Sequence, residues 1–178
     1  HARRGATVLL IDADLRRPAF KSESKQSGLT TLLTNEGSIA RHVKETQHEN
    51  LWLLPCGSIP PNPADLLSTP RIKQIVAEAG RQFDMVVVDG PPILGLADAS
   101  FLASACGNAM IVIESGKTRT RAAREAVEWI ESAGAHIVGV TLTMSASEAS
   151  NYGYRLYQYA TIGDKRTQIA LIPQQVDS

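Results

Sequence analysis

At 178 residues, with 43% apolar and 20% charged side chains, the chain is long enough for one domain with a sizeable core and too short for two ordinary ones. Lys+Arg and Asp+Glu are equal at 18 each, which argues against a nucleic-acid coat. No apolar run approaches the ~18–20 residues of a membrane span, and two cysteines with four histidines at no ligand spacing give neither a disulfide framework nor an imidazole metal site.

The chain opens with HARRG (1–5), which reads as the last turn of a helix, with basic residues suiting the dipole and Gly5 in the closing left-handed position. That reading predicts a strand, loop and helix before residue 1. Aliphatic runs follow at TVLLID (7–12), LWLLP (51–55), MVVVD (85–89), AMIVIE (109–114) and HIVGVTL (136–142). They do not alternate cleanly, as expected of parallel strands covered on both faces. Helix-like segments separate them at 27–36, 69–83, 97–105 and 120–134. In the last of these Ala123, Val127, Ile130 and Ala133 share a face and Gly134 closes the helix. The proline-rich PCGSIPPNP (55–63) is a shaped loop. The alternation predicts an α/β fold with a mostly parallel sheet and helices on both faces. Periodicity fades after residue 143, so a domain over 1–143 and a tail over 144–178 are expected.

VLLIDADLRRP (8–18) carries a buried-looking strand into Asp12 and Asp14, and DMVVVDGPPILG (84–95) does the same with Asp89. Asp12 and Asp14 are two apart, so in an extended segment they point the same way. In parallel sheets ligands bind outside the carboxyl ends of the strands. Three carboxylates converging there without a histidine suit a hard cation, most commonly Mg²⁺ with a phosphate substrate. The plain alternative is that each Asp meets solvent or caps the next helix. A phosphate loop should accompany such a site, yet GKT at 116–118 has Ile111 where GxxxxGK[ST] requires Gly, so it is a decoy. The expected loop lies upstream of residue 1.

These residues carry a family likeness. VLLIDADLRRP resembles the Walker A-prime motif, and VVVDGPP the Walker B motif, of bacterial tyrosine kinases of capsular and exopolysaccharide biosynthesis. GLTTLLTNE, NLWLLPCGSIPPNPADLLSTPRI, FDMVVVDGPPILGLADA and SGKTRTRAAREAVEWIESAGAHIVGV follow in family order over residues 1 to about 143. The resemblance implies a P-loop NTPase-like fold related to MinD and ParA, N-terminally truncated here, with ATP and Mg²⁺ as cofactors. It implies that Asp14 and Asp89 hold Mg²⁺, and that Asp12 serves as base or second metal partner. It further implies autophosphorylation on a C-terminal tyrosine cluster, homo-oligomerisation, a transmembrane co-polymerase partner or upstream domain, an opposing tyrosine phosphatase, no nucleic acid, and a cytoplasmic position at the inner face of the bacterial membrane. Thr143 stands where the family usually has Asn beside the adenine.

The tail fits. SNYGYRLYQYA (150–160) holds all four tyrosines, Tyr152, Tyr154, Tyr157 and Tyr159, at spacings that share no helical face. Acceptors on an accessible end want that arrangement, whereas an aromatic packing patch wants one face. Lys117, Arg119, Arg121 and Arg124 crowd the start of a helix, where the dipole disfavours cations. They suit an acidic neighbour or the phosphorylated tail, or else form a solvated face offset by Glu125 and Glu128. Two rival functions stand beside the kinase: a partitioning or division-site ATPase, and a non-catalytic regulatory subunit of a polysaccharide export complex.

Overall fold

A computed structural model describes residues 1–20, 27–35 and 37–144, and the backbone of 169–171. Its centre is a seven-stranded sheet. The strands are β1 (Val8–Asp12), β2 (Lys44–Glu45), β3 (Leu51–Leu54), β4 (Met85–Gly90), β5 (Asn108–Glu114), β6 (His136–Thr143) and β7 (Ile169–Leu171), in the order β2-β3-β1-β4-β7-β5-β6. β1 pairs in parallel with β3 and with β4, and β5 pairs in parallel with β6. The short β2 and β7 are antiparallel to their neighbours. The sheet is therefore mostly parallel, as the aliphatic runs predict.

Among the described residues five α-helices accompany it: α1 (Leu29–Thr34), α2 (Pro63–Leu67), α3 (Arg71–Gln82), α4 (Asp98–Cys106) and α5 (Thr120–Ser132). They touch one another in an unbroken series, α3 and α2 on α4, α4 on α5, and α1 on both α2 and α3. Among the described residues they thus make one connected set packed beside the mostly parallel sheet that the alternation predicts. The topology supplies the reason. The connections β3→β4, β4→β5 and β5→β6 all step the same way across the sheet, so right-handed crossovers place α3, α4 and α5 on one side. The path from β1 to β3 runs instead through the antiparallel β2.

Burial follows this layering. Leu9, Ile11, Val86 and Val88 are fully buried together with Ile75 of α3 and Leu102 of α4, whereas Leu10, Leu53 and Val87 are half-buried. On α5 the fully buried side chains are Ala126 and Ile130, with Ala123, Val127 and Ala133 half-buried beside them. The interior face is thus the expected one, centred on Ala126. Among the described residues no helix is long and apolar enough to cross a membrane.

Three local features match the sequence and three depart from it. Ala2–Arg4 form a single 3-10 turn closed by Gly5 at φ 93°. Gly116 turns at φ 74° with Lys117 bonded to Glu114 at 3.0 Å, so the GKT stretch is a plain turn after β5. Cys56 and Cys106 are free and buried. The shaped loop, however, ends one residue early, because Pro63 opens α2 after Asn62, a first-turn position where its missing N–H costs nothing. The two-residue strand β2 left no pattern to read. β7 returns the chain to the sheet between β4 and β5, within a stretch that shows no periodicity.

Candidate active site

The parallel register brings the acidic residues to one rim. Asp12 and Asp89 are direct register partners at the carboxyl ends of β1 and β4, and the Ala13 amide donates to the Asp89 carbonyl at 2.8 Å. In-register neighbours on parallel strands present their side chains to the same face. Asp14 is not on the strand. It sits in the turn beyond β1, and its Oδ1 accepts the amides of Arg16 at 3.1 Å and Arg17 at 2.9 Å. This is an Asx-type turn, the habit of a short acidic side chain two residues before the amide that it captures. The sequence places Asp14 correctly at the rim, but by a turn rather than by strand alternation.

The environment of these carboxylates is costly. Asp12 is fully buried; its Oδ2 accepts the Phe20 amide at 2.9 Å, while among the described residues its buried Oδ1 has no hydrogen-bond partner. Burial raises the Asp12 carboxyl above its ordinary range, against the lowering effect of backbone amides and with a further push from Asp14. Burial pushes Asp89 up to about 7, with the charges of Asp12 and Asp14 adding to the effect. An orphaned buried oxygen and like charges pressed together are what a cation relieves. Among the described residues no three His, Cys, Asp or Glu side chains close a metal cage. The expected convergence of three carboxylates on one ion is not found among the described residues, where the three share a rim instead. A Mg²⁺ ion fits this arrangement, because it normally takes one or two carboxylates and completes its shell with water and phosphate oxygens.

Two loops wall the site. GPP after Asp89 turns the chain sharply, and Asp14, Arg16, Arg17, Pro91, Pro92 and Leu96 line a cleft of about 270 Å³. Arg16 crosses it to α4: Nε donates to Asp98 Oδ2 at 2.8 Å and Nη2 to Oδ1 at 3.1 Å. Asp98 is 1% exposed. No local signal marks this pair, since 82 positions separate its members and Asp98 looks like any acidic residue opening a helix. On the other side, the loop after β3 is fixed to the start of α1, with the Leu29 amide on the Pro55 carbonyl at 2.8 Å and the Thr30 amide on the Cys56 carbonyl at 2.9 Å.

The other sequence candidates fall as follows. Thr143 ends β6, and its hydroxyl donates to the Ile113 carbonyl at 3.3 Å. Arg119, Arg121 and Arg124 are exposed, and Arg121 and Arg124 share a surface hollow with Glu125, Glu128 and Trp129. Glu125 and Glu128 thus flank Arg121 and Arg124 in that hollow. Tyr152, Tyr154, Tyr157 and Tyr159 lie outside the described residues.

A mostly parallel α/β sheet with acidic residues on its carboxyl rim places the chain among the open α/β folds that take ligands at the carboxyl ends of their strands. The particular family follows from comparison with known proteins. The chain is 40% identical over 158 residues to the tyrosine-protein kinase YwqD of Bacillus subtilis, covering 86% of this chain and 66% of that protein. It is 31% identical over 156 residues to the tyrosine-protein kinase CpsD of Streptococcus agalactiae, covering 85% and 68%. Among solved structures, the kinase domain of Escherichia coli tyrosine kinase ETK superposes with a TM-score of 0.73 at 30% identity, over 87% of this chain and 63% of that one. No family model matches the chain. The chain belongs to the bacterial tyrosine-protein kinases and spans about two thirds of the length of these relatives.

Proposed function

We propose that this chain is catalytic machinery of an ATP-dependent protein-tyrosine autokinase that regulates capsular or exopolysaccharide polymerisation and export. The observation that carries the reading is the pairing of Asp12 with Asp89 on one rim, with an oxygen of Asp12 buried and without a partner among the described residues, in a chain 40% identical to a tyrosine-protein kinase.

ATP is the phosphoryl donor and Mg²⁺ its companion ion. Bound Mg²⁺ supplies neutralisation of the charge on the transferring phosphoryl group. Asp14 and Asp89 hold the ion, directly or through water. The backbone amides of Arg16 and Arg17 keep the Asp14 carboxylate in place through its Oδ1. Asp12 serves as base toward the incoming phenol or as a second metal partner: among the described residues its Oδ1 has no donor to compete, and a carboxylate of raised pKa is a better base than an ordinary one. Burial of these groups strengthens each interaction by excluding water.

The acceptors are Tyr152, Tyr154, Tyr157 and Tyr159. Each phosphorylation adds about −1.5 to −2 charge, so a tail bearing one arginine among its tyrosines becomes strongly anionic and loosens the subunit contacts it makes. The partners that accord with this reading are further copies of the kinase, a transmembrane co-polymerase at the inner face of the cell membrane, and a tyrosine phosphatase that resets the tail.

The test replaces Asp12, Asp14 or Asp89 by Asn in the full-length protein and follows phosphotyrosine by immunoblot after addition of ATP and Mg²⁺. Loss of roughly 100-fold or more in initial rate is expected. Undiminished phosphotyrosine in the Asp12→Asn and Asp14→Asn variants would overturn the mechanism. A wild-type protein that forms none favours a regulatory subunit.

A further inference from the structure

Arg16 is engaged twice. Its backbone amide holds Asp14 Oδ1 at 3.1 Å, and its guanidinium meets both oxygens of Asp98 at 2.8 and 3.1 Å. Asp98 is the first residue of α4 and is 1% exposed, while Arg16 is 38% exposed. The pair therefore joins the turn that follows β1 to the helix reached through the loop that follows β4. Those two elements carry Asp14 and lead away from Asp89. Between them lies the cleft bordered by Asp14, Arg16, Pro91 and Pro92. A two-point guanidinium–carboxylate contact fixes direction as well as distance, which a single hydrogen bond or a lysine does not.

We infer that Asp98 is a positioning residue: through its two-point grip on Arg16 it sets the turn that presents Asp14, and so tunes how tightly the acidic rim takes a divalent ion. The inference rests on the proposed role of Asp14 and Asp89 in holding Mg²⁺. Asp98 is not among the residues that line the cleft. Its effect passes along Asp98, the Arg16 side chain, the Arg16 amide and the Asp14 carboxylate. A burial this complete also serves the ion pair's own stability, because an unpaired Asp98 would be a stranded charge. The positioning role is the part that a purely structural pair would lack.

The experiment uses the full-length protein and a fluorescent ADP analogue, titrated with Mg²⁺ and, separately, in EDTA. Asp98→Asn keeps shape and one hydrogen bond; Arg16→Lys keeps charge, sits on the exposed partner and cannot make the two-point contact. Both variants are expected to bind the analogue in EDTA within about twofold of the parent, while the Mg²⁺ concentration for half-maximal enhancement rises about tenfold, the lower end of what loss of a supporting group costs a metal site. On an Asp14→Asn background, Asp98→Asn should add no further change in Mg²⁺ requirement, since both act through one carboxylate. A lowered melting temperature with an unchanged Mg²⁺ requirement in Arg16→Lys, or fully additive effects in the double variant, would overturn the inference. If Asp14→Asn alone leaves the Mg²⁺ requirement untouched, the proposed metal role fails instead, and the two failures are told apart.

Discussion

Asp12 and Asp89 stand side by side as register partners on β1 and β4, and the next link in the chain, the Ala13 amide, is bonded to the Asp89 carbonyl. Parallel pairing leaves neither carboxyl room to turn away from the other's face. Like charges are thus held together by the same backbone hydrogen bonds that build the sheet, and the resulting cost sits where a cation and a phosphate can relieve it.

That cost gives a pH dependence. Burial and the charges of Asp12 and Asp14 push Asp89 up to about 7, above its ordinary value. A carboxyl whose pKa is higher in the native state binds more protons there than in the unfolded chain. Stability of the metal-free protein therefore falls as pH rises from about 4 through about 7, and levels off above. Asp89→Asn should reduce the dependence to the part that buried Asp12 contributes, and stabilise the metal-free protein at pH 8 by roughly 1–4 kcal/mol. Urea denaturation from pH 5 to 8, with and without Mg²⁺, measures it; Mg²⁺ should erase the decline. A flat parental profile would show that Asp89 is ionised at no cost.

Much of this was legible in the sequence because burial on a parallel sheet writes long aliphatic runs, and β1 and β4 each ended in the acidic residue that the structure sets on the rim. Gly5 and Gly134 were readable as chain reversals because only a residue without Cβ takes φ near 93° and 80° cheaply. The Arg16–Asp98 pair was not readable, since nothing local marks a contact across 82 positions. Nor was β7, whose Ile169–Leu171 pairs with β4 and β5 through backbone groups that any sequence possesses. Strand order was hidden for another reason: which strands pair is a long-range property.

The glycines give a matched pair of predictions. A Cβ on Gly28 would stand 2.5 Å from both the Gly57 nitrogen and the Pro55 carbonyl oxygen, backbone atoms that cannot yield cheaply. Gly28→Ala should cost about 1–3 kcal/mol and loosen the fastening of the 55–62 loop to α1. Gly80, exposed in the interior of α3, has nothing within 4 Å of a Cβ. Gly80→Ala should stabilise by about 0.4–1 kcal/mol by restricting the unfolded chain. Chemical denaturation midpoints decide both, and equal effects of the same sign would refute the close-approach argument.

The cysteines should be inert in the native protein. Cys56 is 1% exposed and its thiol is pushed to about 11 by burial, with Asp12 and Asp14 contributing despite the contact with Thr30; Cys106 is pushed to about 12 by burial alone. A thiol reacts as thiolate and needs access, so iodoacetamide at pH 8 should label neither site in the folded protein and both in urea. Cys56 lies in the loop beside the acidic rim, with its sulfur 3.9 Å from the Thr30 hydroxyl. Labelling there therefore doubles as a probe of that loop. Gly28→Ala, by loosening the anchor at Pro55 and Cys56, should raise the Cys56 labelling rate well above that of Cys106. Peptide mapping by mass spectrometry after timed alkylation reads the two sites separately. A parallel rise at both would report global unfolding and leave no special role for the Gly28–Gly57 contact.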